Sequence, residues 1–304
     1  MATRDISAAA TIAEADSAAA AQLAHQLSRC STPYEDPLAR IEWDRLDLEA
    51  PWLPEAAVSL HGVPEFEALP RAVRVRLSQY EFLNFIDAGL WLEGYFMERI
   101  ARAMNRADLA RYTLRYRLHE LREEAGHSLM FLELMQRAGL PLPERRAPGR
   151  FRFARLFGRY APMESTAFWM AAVIGEELPD RLNRFIREHA EGLCPVIVQM
   201  STLHQIDEAR HIRYARSRFE RRLEAMPAWR RSLLAPLMRV LLRQFVEFFY
   251  YPGWALYELA GLKPGQRWAA AARTNPARTA FVNRCLEPTI ASFARLGLRL
   301  HWRT

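Results

Sequence analysis

From about residue 74 onward, apolar positions recur at helical spacing through four long stretches. In the first, about 74–104, Ile86, Leu90, Met97, Ile100 and Met104 share one face. The second, about 107–138, stops at Gly139-Leu140-Pro141, and the third, about 163–191, ends near Gly192. The fourth begins after Pro195 and extends to about 224. Residues 139–162, with the run GLPLPERRAPGR, read as a connector too long for a tight helical hairpin. Residues 31–72, punctuated by Pro and Trp, are expected to wrap the core as extended chain and short turns. Residues 233–262 are the most apolar stretch. Arg239, Arg243 and Glu247 interrupt them, which argues against a membrane span and for a buried helix, a pocket wall or a subunit interface.

Two short-looped helix pairs joined by a longer crossover are the ferritin-like form of a four-helix bundle. The expected fold is therefore all-α: a ferritin-like four-helix bundle core at about 74–224, with additional N- and C-terminal helices, in one domain over 31–304. Composition agrees, since half of the 304 residues are hydrophobic, only 13 are Gly, and no regular run of short β-branched strands occurs. The Ala-rich segment 1–30 reads as a flexible lead, its first part a frayed helix or disordered chain. Glu14 and Asp16 break its apolar run, so a secretory signal is not expected. Cys30, Cys194 and Cys285 are odd in number and far apart, which fits a reducing compartment and a cytoplasmic location. The net charge of +7 comes almost wholly from arginine, Lys263 being the sole lysine. The arginines are interleaved with Glu and Asp, with no single block, so neither a nucleic-acid nor a membrane partner is expected.

The faces of these helices carry polar groups where leucines belong. In HQIDEARHIRYA, His204, Glu208 and His211 fall at i, i+4 and i+7 on one narrow face. The second helix carries Glu124 and His127 in LREEAGHSL, the same Glu-x-x-His spacing as Glu208 and His211. One such pair is common. Two, on alternate members of a four-helix set, follow the pattern of di-iron carboxylate bundles, in which each of the other two helices adds one Glu. On the first helix Glu93 lies on the Ile86/Leu90/Met97 face, where an unpartnered carboxylate is costly to bury. On the third, IGEELPD offers Glu176 or Glu177. Glu93 to Glu124 is 31 positions, and so is Glu177 to Glu208; adding 84 carries Glu93, Glu124 and His127 onto Glu177, Glu208 and His211. That offset reads as a duplicated helix pair and selects Glu177, with Glu176 in reserve. It also argues against a metal-free structural bundle. It sets His204 opposite Glu120, so His204 is expected as an extra ligand to one metal, and Glu120 as either a further polar group at the site or a solvated charge. Four clustered glutamates would raise one another's pKa values unless cations neutralise them. Mixed carboxylate and imidazole ligands suit iron or manganese. Asp207 and Glu123, each just before a ligand Glu, are candidates to accept the free N–H of a ligand histidine across the helix pair.

Over about 60–260 the chain resembles the AurF-type p-aminobenzoate N-oxygenases, non-haem di-iron oxygenases. Their mark is a Glu, a spacer of this length, then Asp-Glu-x-x-His, occurring twice, with an extra histidine one turn before the second motif. Here Glu93 precedes EEAGH and Glu177 precedes DEARH, each across twenty-nine residues, with His204 ahead of the second; Glu123 stands where the family has Asp. The resemblance implies two iron ions held by Glu93, Glu124, His127, Glu177, His204, Glu208 and His211, with O2 as co-substrate. It implies oxidation of a small-molecule arylamine through hydroxylamine and nitroso stages towards a nitro product, in biosynthesis. Electrons come from an external donor, a reductase or ferredoxin, because no flavin or nicotinamide fingerprint is present. The alternatives are a di-iron hydroxylase or desaturase acting at carbon, and a ferroxidase or iron-storage protein. Segments 31–72 and 225–304 exceed what storage needs. Self-pairing as a homodimer would use 233–262.

Overall fold

The structure is a computed structural model that describes residues 18–105, 110–143, 152–162, 164–300 and 302. Among these, every regular element is helical. Residues 18–31 form α1. Two single-turn helices follow, α2 (Pro37–Arg40) and α3 (Pro64–Glu67), with 3-10 turns between them. The bundle consists of α4 (Arg71–Ala103), α5 (Arg111–Ala138), α7 (Thr166–Glu188) and α8 (Pro195–Glu224). Between its halves lies α6 (Arg152–Tyr160), and after it come α9 (Ala228–Tyr250), α10 (Trp254–Leu259), α11 (Gly265–Thr274) and α12 (Pro276–Arg295).

Local chemistry sets these limits. Gly139 closes α5 in the left-handed region at φ 60, and its N–H bonds to the Met135 carbonyl. The Ser165 side chain caps α7 by accepting from the Phe168 N–H, and Pro195 opens α8 at a position where no donor is needed. Short loops make α4 and α5 one pair and α7 and α8 the other. The long crossover between pairs is the ferritin-like connection.

Two expectations change. The connector 139–162 is not loop throughout: α6 occupies its second half and packs on α4 and α9. The flexible lead is corrected for residues 18–30. They belong to α1, which buries Ala24 and Leu27 in the core; residues 1–17 lie outside the described residues. The alanines leave a slim helix face, and the spaced apolar residues give it something to bury. The wrap over 31–72 does enter the core, with Trp52 and Leu60 fully buried. It is tied down by the Gln79 amide, which donates to the Leu48 and Ala50 carbonyls, and by Arg278, which donates to those of Ala57 and Tyr250. α9 packs across α4 and α7, so the apolar 233–262 stretch forms a wall of the bundle. No helix of the described residues is long and apolar enough to cross a membrane.

Candidate metal centre

Seven side chains converge inside the bundle: Glu93 from α4, Glu124 and His127 from α5, Glu176 from α7, and His204, Glu208 and His211 from α8. None is more than 6% exposed. They form two overlapping groups. Glu93, His127, His204 and Glu208 each offer an atom within 4.8 Å of the others, and so do Glu124, Glu176, Glu208 and His211. Glu208 belongs to both groups. Glu124 also spans them, with Oε2 3.4 Å from His127 Nδ1 and Oε1 3.2 Å from His211 Nδ1.

Two of the imidazoles are oriented from outside by a reciprocal exchange across α5 and α8. His127 on α5 donates Nε2–H to Asp207 Oδ2 on α8 at 3.2 Å; His211 on α8 donates Nε2–H to Glu123 Oε2 on α5 at 2.9 Å. Arg210 joins the two acceptors, bonding Glu123 Oε1 at 2.8 Å and Asp207 Oδ1. Both Nδ1 atoms are thereby turned inward. His204 is held the other way round, with the Asn183 amide 2.7 Å from Nδ1, and Nε2 3.4 Å from Glu93 Oε1 and 3.3 Å from Glu208 Oε1.

The inward atoms lack partners. Glu93 Oε2, both oxygens of Glu124 and of Glu208, and Nδ1 of His127 and His211 are buried without a hydrogen bond. So many orphaned acceptors in one place are costly unless a cation meets them. Protonation shows the same strain. Burial, reinforced by Glu124 and Glu208, pushes the Glu93 and Glu176 carboxyls well above the ordinary carboxylate range. Burial opposes the charge on His127, yet its bond to Asp207 and the negative charge of Glu124 lift it to about 9. Burial and the charge of His127 push His204 down to about 4. Without cations the cluster holds protons in their place. A donor set of four carboxylates and three imidazoles in two groups fits two divalent or trivalent metal ions.

Glu177 does not join the cluster; Glu176 stands there instead. The Glu177 carboxylate takes a bond from Arg216 Nε of α8 and, at 2.6 Å, from the Thr289 hydroxyl of α12. Both partners face it away from the centre, so the 84-residue offset breaks by one position in α7. Pro179 lies inside that helix, where it cannot donate to the Gly175 carbonyl, so a regular ladder does not hold the turn carrying Glu176. A signal was available in the helical neighbours. Glu177 has Arg181 and Arg184 at i+4 and i+7, whereas Glu176 has Asp180 and Asn183, the residue that meets His204. Glu120 is not solvated: it is buried and paired with Arg117 at 2.8 Å. The Arg117 guanidinium lies over the Trp169 and Tyr214 rings.

Beside the centre, a narrow, mostly apolar cleft of about 40 Å³ opens between α4, α6, α7 and α9. Four aromatic side chains line it, Trp91, Tyr95, Phe168 and Phe245. Leu92 and Phe96 also line it, and both crowd the place where a Cβ at position 175 would stand, which Gly175 leaves free. The next residues along the two helices are Glu93 and Glu176.

The sequence pattern of one family, described as p-aminobenzoate N-oxygenase AurF, matches residues 13–297. Among curated proteins, uncharacterised proteins of Mycobacterium tuberculosis and Mycobacterium bovis are 25% identical over 232 residues, 74% of this chain. The match spans 66% of the length of those relatives, just under two thirds. Among solved structures, a point mutant of an R2-like ligand-binding oxidase, with an aerobically reconstituted Mn/Fe cofactor, aligns with a TM-score of 0.55. It covers 91% of this chain and 93% of its own at 13% identity, a likeness of fold.

Proposed function

Because this chain belongs to the p-aminobenzoate N-oxygenase AurF family, we propose that it is an O2-dependent di-iron N-oxygenase that oxidises a small-molecule arylamine through hydroxylamine and nitroso stages towards a nitro product. The observation that carries this reading is the pair of overlapping four-residue groups with their orphaned, inward-turned atoms. One iron would be held by Glu93, His127, His204 and Glu208. The other would be held by Glu124, Glu176, Glu208 and His211, with Glu124 and Glu208 shared. Bound there, the iron pair supplies the reduction of O2 and the oxygen transfer, which side chains alone do not perform.

The chain's own residues do the rest. Asp207 and Glu123 fix the tautomer of His127 and His211, so that Nδ1 is free to ligate. Arg210 holds those two acids in place and balances their charge. The apolar cleft marks the side from which the amine's aromatic body would approach, and Leu92 and Phe96 keep water from the carboxylates behind them.

The test is metal analysis of the isolated protein, followed by product analysis with p-aminobenzoate and other arylamines under O2 and a chemical reductant. About two irons per chain and hydroxylamine or nitro products are expected. Hydroxylation at carbon with intact amines would replace this reading with a carbon hydroxylase. A folded protein that takes up no iron would end it.

A further inference from the structure

The helix that the sequence reading missed, α6, has two faces. Its inner residues Ala154, Phe157 and Gly158 line the cleft beside the centre. Its outer residues Arg152, Arg155, Leu156, Arg159 and Tyr160 are exposed, Leu156 to 55% and Tyr160 to 67%. With Tyr95 of α4, these five line a surface depression of about 290 Å³. Among the described residues, none of the three arginines has a carboxylate partner. The local sequence also departs from the dispersed pattern of the rest of the chain: between Leu142 and Ala161 stand Arg145, Arg146, Arg150, Arg152, Arg155 and Arg159 against Glu144 alone.

We propose that this outer face of α6 is the docking surface for an acidic one-electron carrier protein of the [2Fe–2S] ferredoxin class. The proposal rests on the reading of the cluster as a di-iron oxygenase centre, which needs electrons from outside the chain. Each docking event moves one electron from the reduced carrier to the centre, and the carrier leaves oxidised; two events supply two electrons.

Three observations select this face and this occupant. The first is position. α6 packs on α4, which carries Glu93, so the surface lies one helix layer from the centre, about 8–10 Å between axes. The second is unpaired charge. On the α5–α8 side, Arg210 is neutralised by Glu123 and Asp207 and offers nothing to an acidic partner. The third is the mixture of side chains. Arg and Tyr are enriched at protein interfaces, and a small anion has no use for a leucine and a tyrosine that stand clear of the surface. Arg99 makes the platform firm: it donates to the Arg159 and Ala161 carbonyls and ties the end of α6 to α4. Its side chain is therefore committed inside.

The test uses the full iron-loaded chain and a plant-type [2Fe–2S] ferredoxin. Binding is measured by calorimetry at low and high salt, and reduction of the centre is followed by stopped flow with either reduced ferredoxin or dithionite. The triple variant Arg152→Glu, Arg155→Glu, Arg159→Glu changes only exposed charges, and circular dichroism checks its fold. The expected result is ferredoxin binding that weakens with salt and falls by about tenfold or more in the variant, with unchanged reduction by dithionite. A second variant, Leu156→Ser with Tyr160→Ser, should weaken binding while keeping its salt dependence. Equal ferredoxin affinity in the wild type and the charge-reversed variant would overturn the proposal. So would tighter binding of duplex DNA or of phosphatidylserine vesicles through the same arginines, or an effect confined to the KM of the amine. Failure of the function reading looks different: dithionite-reduced wild type would consume no O2, whatever the ferredoxin arm shows.

Discussion

The two halves of the centre, α4 with α5 and α7 with α8, repeat one another in sequence and then diverge in space. The outer support is nearly symmetric. Each half lends an acid, Glu123 or Asp207, to the histidine of the other, and Arg210 clasps both. The inner set is not symmetric. The second half adds His204, while the first has Glu120 at the matching place, turned into a buried pair with Arg117. The fourth carboxylate also slips by one residue, from Glu177 to Glu176. A duplicated scaffold can thus keep its geometry while the two four-residue groups acquire different side chains, one with two imidazoles and the other with one.

The largest effect should come from breaking what the halves share. Glu208 lies in both groups, so Glu208→Ala should take iron content from about two per chain to well under one and abolish turnover, as read by metal analysis and product assay. The asymmetry is tested next. His204→Ala should empty one position and leave about one iron per chain, and a protein that still holds two would remove His204 from the set. The slipped carboxylate calls for a paired experiment. Glu176→Gln should lower iron occupancy, whereas Glu177→Gln should leave it intact and cost about 1–3 kcal/mol in thermal unfolding, because Arg216 loses its charged acceptor. For the symmetric part, Asp207→Asn and Glu123→Gln should each weaken metal affinity by about 10–100-fold, and by similar factors. Competition with a chelator measures both, and a large effect in only one would show that the support is asymmetric too.

The smallest effect lies outside the centre. Burial opposes ionisation of Glu164, but Arg218 and Arg222 hold its carboxyl below the usual carboxylate range. Its native value is depressed, so its contribution to stability is complete above about pH 4.3 and disappears as pH falls through the native value. Melting curves of wild type and Glu164→Gln should differ most near neutrality and converge in acid.

Much of this was legible in the chain. The bundle helices end within a few residues of where Gly139, Pro195 and the apolar spacing put them, because caps and amphipathic faces are local properties. Six of the seven clustered side chains were found from the Glu-x-x-His repeat and its spacing, and the crossing of Asp207 and Glu123 to opposite histidines was anticipated from their place beside the ligand glutamates. The seventh is Glu176, the reserve, and not Glu177, because one residue on a helix is a turn of about 100°, and partners from α8 and α12 decide which of two adjacent glutamates faces inward. Glu120 shows the same limit. Its burial depends on Arg117 and on the Trp169 and Tyr214 rings, which other helices supply.

The sequence by itself determined the helices, their pairing and the residue types available to a metal pair, since periodicity and spacing act along one chain. Tertiary structure decided which carboxylate enters the centre, which nitrogen of each histidine points inward, and that α6 covers the cleft with its arginines outward. Those outcomes depend on contacts between helices far apart in sequence, where burial makes the loss of a single partner expensive.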